Sequence, residues 1–268
     1  VAEKYLDLVA LADLMTDVSP FEEKEVQTTG KTAGKVRIGV LKDAAFQFYY
    51  PENLDGLNEA GAELVEINAM TTAELPEIDG LYIGGGFPET SAGRLAENTS
   101  FRHSVKKAAE AGLPIYAECG GLIYLARSLN DGTTTHPMAG VFDIDLTMQP
   151  RPAGHGYCIM RVEADNPFFA VGTRLRGHEF HYSTPARFDP SQATCLAVEM
   201  GTGVSDMRDG LVFKNCVATY LHLHADAVPD WAVRFVARAE LWSAHAADPT
   251  NPDRDTDKKN SGFEAFCP

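Results

Sequence analysis

Apolar positions along this chain follow two rhythms. VRIGVL (36–41) is a short β-branched run bounded by polar residues and predicts a buried strand. PENLDGLNEAGA (51–62) spaces its apolar residues as a helix does and reaches Gly61, a helix stop. AELVEI (62–67) and DGLYIGGG (79–86) predict two more strands, the second closing on a glycine triplet. SFRHSVKKAAEAG (100–112) is amphipathic with a terminal Gly112; LPIYAE (113–118) then predicts a strand and GLIYLARSL (121–129) a helix. Such alternation calls for a parallel sheet with helices on both faces. From about residue 154 the rhythm changes. GYCIMRV, RLRGHEFHYS, LAVEM, GLVFKN and CVATYLHLH are strand-like runs between turns, predicting a β-rich and partly antiparallel second half. WAVRFVARAELWSAHAA (231–247) predicts a closing helix with Trp231, Phe235 and Leu241 on or near its apolar face. The expected fold is α/β: a mixed, mostly parallel sheet flanked by helices.

The ends read differently. YLDLVALADLM has helical spacing, but the VSPFEEKEVQTTGKTAGK that follows is polar and turn-rich. Residues 1–33 are expected to be a linker from a preceding domain, and 34–246 the compact domain. Residues 247–268, rich in Asp and Pro, are expected to be a disordered polar tail. No internal repeat is present.

Composition narrows the class. Of 268 residues 44% are hydrophobic, ample for a real core, and 23 basic side chains face 38 acidic ones for a net charge of −15. That balance argues against a nucleic-acid binder, which needs excess Lys and Arg to displace counterions. Five cysteines without a CxxC pair suit neither a disulfide framework nor a zinc knuckle. No apolar run approaches the roughly 20 residues that span a bilayer. A soluble, cytoplasmic protein is expected. TGKTAGK (29–35) imitates a phosphate loop, but position 25 is Glu where that motif needs Gly, and no strand precedes it.

The chemistry concentrates in IYAECGGLIYL (115–125). It sets Cys119 between a strand end and a helix start, with the small Ala117 and Gly121 two residues away on either side, as a nucleophile elbow requires. The helix N-terminus is expected to favour the thiolate. A buried, inert thiol is the commoner fate of a free cysteine. A thiolate nucleophile wants a histidine base, and His222, at the end of TYLHLH, is the candidate, with His224 on the same side of that strand. GGGFPE (84–89) offers backbone amides unshielded by a Cβ, suited to an oxyanion, although a flexible turn would read the same way. His178, Glu179 and His181 could be metal ligands by composition. Strand alternation divides them between two faces, and no metal is expected.

AFQFYYPENLDGLNEAGAELVEI (45–67), DGLYIGGGFPE (79–89), PIYAECGGLIYL (114–125), RGHEFHYS (176–183) and ATYLHLH (218–224) together resemble the glutamine amidotransferase domain of cobyrinic acid a,c-diamide synthases, from about Val36 to about His224. The related cobyric acid synthases share the elbow and final histidine but differ where GGGFPE stands. The resemblance implies a class I amidotransferase-like, flavodoxin-like fold. It implies that Cys119 attacks the side-chain amide of glutamine to form a glutamyl thioester, with His222 as base and Gly85 or Gly86 with Gly120 lining the oxyanion hole. Arg151 would clamp the glutamine α-carboxylate, although a solvated arginine is an equal reading. Ammonia would pass to an N-terminal or separate synthetase domain that uses ATP and Mg to activate the a and c carboxylates; this domain itself needs no cofactor. Neither nucleic acid nor membrane is an expected partner, and a homodimer is one possible assembly. Two departures stand out. Many class I relatives carry Glu two residues after the catalytic His, where this chain has His224, so the third group would be absent or come from Glu179 or Asp226. GHGY (154–157) also replaces an expected Leu-Gly-Tyr. The alternatives are the same chemistry serving nickel-sirohydrochlorin or cobyric acid, or a silent module docking on a separate ATPase.

Overall fold

The computed structural model describes residues 7–10, 13, 36–189 and 191–247. The chain divides into two units at residue 30; in the first, residues 8–10 and 13 are helical, as their apolar spacing predicts. Most of the expected linker and all of the expected tail beyond Ala247 lie outside the described residues.

The body is built on a ten-stranded sheet. Its first half is parallel: β3 (Glu63–Ile67) lies beside β1 (Arg37–Leu41), then β4 (Gly80–Ile83), β6 (Ile115–Glu118) and β15 (Cys216–Thr219). Side chains alternate between two cores. Leu81, Ile83, Ile115, Ala117, Cys216 and Ala218 pack on one face, Tyr82, Tyr116 and Val217 on the other. Near-continuous apolar runs are what burial on both faces demands. The first face is covered by α3 (Thr99–Ala111) and α4 (Gly120–Leu125), the second by α1 (Pro51–Glu59) and α5 (Asp230–Ala247). α3 ends where the sequence predicts, at Gly112 with φ of 101°, a conformation glycine adopts without Cβ strain.

The second half is antiparallel: β14 (Arg208–Phe213), β13 (Thr194–Met200), β10 (Gly154–Val162), β11 (Arg174–His181) and β16 (His222–Leu223). The run CVATYLHLH is therefore two strands. Only Tyr220 and Leu221 join β15 to β16, yet four strands stand between them in the sheet. Three residue steps reach about 11 Å, whereas five interstrand steps across a flat sheet need about 24 Å. The antiparallel half must curl back until β16 returns to the C-terminal ends of the parallel strands. That curl brings His222 to the elbow.

Two smaller sheets complete the body. β2 (Phe46–Phe48) pairs with β5 (Gly85–Gly86), while β12 (Ser183–Arg187), β9 (Asp145–Met148), β7 (Ser128–Asn130) and β8 (Thr135–Pro137) form a four-stranded sheet. The helix expected over 121–129 stops at Leu125. Ala126 is extended with ψ of 167°, and the chain turns into β7 to bury Leu129 in the second sheet. Leu241 faces out on α5, 63% exposed, whereas Trp231 and Phe235 are buried as expected.

Candidate active site

Cys119 sits between β6 and α4 with φ of 47° and ψ of −93°, a backbone strain that a non-glycine residue holds only where its surroundings fix it. Three hydrogen bonds hold the bend. The Cys119 N–H donates to the Thr219 carbonyl at 2.7 Å, Ile123 N–H donates to the Cys119 carbonyl at 3.0 Å, and Gly121 N–H donates to the Gly84 carbonyl at 3.1 Å. Gly121 must lack a Cβ, which would overlap the carbonyl of Ile83. The glycine two residues after the elbow is thus needed to seat α4 on β4.

The glycine run lies against this bend. A Cβ on Gly120 would stand 3.1 Å from the Gly86 nitrogen and 3.4 Å from the Gly85 carbonyl carbon. Gly86, with φ of 153°, runs so close to Ala45 that a Cβ there would overlap its carbonyl, and a Cβ on Gly85 would overlap the His222 imidazole. Gly120, next to Cys119, thus lies against Gly85 and Gly86, and Gly85 lies against His222. Tyr49 fixes the approach by accepting the Gly84 N–H at 2.9 Å and donating its hydroxyl hydrogen to the Leu41 carbonyl.

His222 is 4% exposed. Its ring stacks on His178, its register partner on β11, with centroids 4.7 Å apart and planes 14° apart, and meets the edge of Phe48 at 4.8 Å. Two residues along β11, the Phe180 carbonyl accepts the Cys119 thiol at 3.5 Å. Neither candidate carries charge in this setting. Burial, aided by the carboxylates of Glu89 and Glu118, pushes the Cys119 thiol up to about 12 against the pull of the Gly120 N–H. Burial and the neighbouring His178 and His181 push His222 down to about 3. The thiolate expected from the helix N-terminus is not the resting form: α4 has only six residues, and desolvation outweighs so short a helix.

Of the other expected residues, Arg151 lies exposed on the bend between β9 and β10. His224 borders the same cavity as His222 but has contacts of its own. It follows β16, packs on the Tyr50 ring at 4.7 Å and stands 3.5 Å from Glu52. Neither carboxylate proposed as a third group reaches His222. Glu179 accepts the N–H groups of Thr202 at 2.6 Å and Gly203 at 3.0 Å beside His181, and exposed Asp226 lies 4.0 Å from His224. As alternation requires, His178 faces His222 while Glu179 and His181 face the opposite side; among the described residues no group of three or more His, Cys, Asp and Glu could hold a metal ion.

The sequence reading missed two residues of the site. Glu118, fully buried, accepts the Leu223 N–H and the Tyr82 hydroxyl, each at 3.2 Å, and its Oε2 lies 3.9 Å from His222 Nδ1. Asn53 of α1 donates to the Tyr82 hydroxyl at 3.1 Å and the Leu223 carbonyl at 2.8 Å, and accepts the Ala225 N–H at 2.7 Å. An acid inside the apolar run IYAE was the available signal for the first, since a charge there needs buried partners. Next to the imidazole, Tyr50, Tyr157, Met200, His178 and His222 line a cavity of 480 Å³.

A strained cysteine elbow on a half-parallel sheet, with a glycine run packed against its bend and an imidazole against that run, points to a class. The fold is that of class I glutamine amidotransferases. Its solved neighbours include a glutamine amidotransferase (TM-score 0.55, 20% identity, 76% of this chain and 98% of that one) and PurLQS from Thermotoga maritima (TM-score 0.55, 17% identity, 79% and 100%). Within that class the chain belongs to the CobB/CobQ-like glutamine amidotransferase domain family, which it matches over residues 37–229. It is similar to the cobyrinate a,c-diamide synthases of Magnetococcus marinus (38% identical over 242 residues, 88% of this chain and 52% of that protein) and Methanothermobacter thermautotrophicus (37% over 238 residues, 88% and 52%). The chain spans about half the length of these curated relatives. No helix among the described residues is long and apolar enough to cross a membrane.

Proposed function

We propose that this chain is the glutaminase part of a cobyrinate a,c-diamide synthase, releasing ammonia from glutamine for ATP-dependent amidation of the a and c carboxylates of cobyrinic acid. The strained Cys119, at a bend whose Gly120 lies against Gly85 and Gly86, with Gly85 in turn against His222, carries this reading. As Cys119 Sγ attacks the carboxamide carbon, its proton passes to His222, and the carbonyl oxygen gains negative charge next to the amides of Gly120 and Gly85 or Gly86. The imidazolium returns the proton to the leaving nitrogen, the C–N bond breaks and ammonia departs, leaving a glutamyl thioester. Water, deprotonated by the same imidazole, cleaves the thioester to glutamate and restores the thiol. A neutral thiol beside a neutral imidazole fits this sequence, because His222 begins with a free lone pair and the ion pair is formed only during attack.

The ATP and Mg of the amidation belong to a synthetase domain, and the names of the relatives support its substrate as cobyrinic acid. The test is Cys119→Ser. Glutamate release from glutamine should fall to background, while amidation by the complete enzyme from ammonium salts persists. Glutamate release at an unchanged rate would remove Cys119 from the reaction.

A further inference from the structure

Building on that glutaminase reading, we infer that Glu118 is a positioning residue that fixes the His222 imidazole with its hydrogen on Nδ1 and its lone pair on Nε2. His222 Nδ1 is buried without a hydrogen-bond partner. A buried nitrogen left unpaired is costly, and Glu118 Oε2 stands 3.9 Å from it, about 1 Å beyond hydrogen-bond length. The carboxylate is held for this task. Its other contacts come from the main chain of the residue after His222 and from Tyr82, which Asn53 orients in turn. Glu118 and the histidine are thus fixed to one another through β16 itself. The acid comes from the residue before the nucleophile, whereas the position two residues after the histidine holds His224, turned toward Tyr50 and Glu52. During attack the imidazole becomes a cation, and an ionised Glu118 stabilises it; a protonated Glu118 does so less.

The groups around this pair give the inference a readout. Burial raises Glu118 to about 8, against the pull of the Leu223 N–H and the Tyr82 hydroxyl. The phenols facing it, Tyr49, Tyr50, Tyr82 and Tyr116, are all pushed upward by burial, and Cys119 to about 12. Burial pushes His178, on the far face of His222, and His222 itself downward. Beyond these, His181 bears on His222 and Asp209, at about 7, bears on Cys119; Asp209 lies on β14 and is bound to the Tyr220 N–H rather than to the imidazole.

The experiment is the pH profile of kcat/KM for glutamate release by the whole chain, for the wild type, Glu118→Gln and Tyr82→Phe. The wild type should climb as Glu118 ionises near pH 8. Glu118→Gln should lower kcat roughly tenfold to a hundredfold, less than loss of the base itself, leave KM unchanged and abolish the climb. Tyr82→Phe removes a donor that favours the carboxylate, so the climb should move to higher pH. A Glu118→Gln protein with the wild-type rate and profile overturns the inference, and should that variant fail to fold, an unmoved climb in Tyr82→Phe overturns it. Loss of activity in Cys119→Ser alongside an unaffected Glu118→Gln would reject only the role of Glu118; activity surviving in Cys119→Ser would reject the glutaminase reading beneath it.

Discussion

At the scale of single residues, the site depends on atoms that are missing as much as on those present. Gly85 has no special backbone angle, yet a Cβ there would meet the His222 ring. Gly85→Ala should therefore leave the fold intact and displace the imidazole. Glutamate release should fall at least tenfold, with a change in melting temperature of a few degrees at most, as read by steady-state kinetics beside thermal unfolding. The sequence made Cys119 legible because an elbow needs small residues at fixed offsets, and those offsets survive translation into any fold. The charge state was not legible. A helix start after a cysteine suggests a lowered thiol, but burial and three carboxylates act the other way, and only the fold shows them. Arg151 was chosen by resemblance alone, and no packing or hydrogen-bonding requirement in the sequence tied it to the elbow.

At the scale of elements, periodicity read the parallel half well. Buried strands there are uniform apolar runs, and their helices carry glycine stops. It failed at CVATYLHLH, where an unbroken apolar run conceals a change of partner: β15 pairs with β6 in parallel, β16 with β11 antiparallel. Hydrophobicity fixes burial but not the neighbour, since Tyr220 and Leu221 are buried like the strands on either side. The partner switch is imposed by the curl of the antiparallel half and secured by Asn53 and Glu118, polar groups that satisfy the main chain of Leu223 and Ala225. Gly177 shows how close that pairing is, because a Cβ there would overlap the His222 carbonyl.

For the molecule as a whole, buried titratable groups link the site to stability. Glu118 rises from its ordinary 4.5 to about 8 and Asp209 from 3.8 to about 7, so the folded chain binds more protons than the unfolded one between those values. Their contribution is complete below about pH 4 and is lost as pH rises through 7 and 8. His222 acts oppositely. Lowered from 6.5 to about 3, it adds stability as pH rises through that interval. Above pH 6.5 the carboxylates act without this compensation. The melting temperature should fall between pH 6.5 and 8.5, and Glu118→Gln should fall less steeply over the same range; parallel curves would mean that Glu118 titrates alike in both states.

The central claim is that Cys119, among several buried thiols, is the one built to attack a glutamine carboxamide. Labelling with a glutamine-analogue electrophile, followed by peptide mass spectrometry, tests it most directly. One adduct per chain at Cys119, slowed by His222→Ala, is the predicted result; no adduct, or an adduct at Cys158, Cys195 or Cys216 instead, would contradict it.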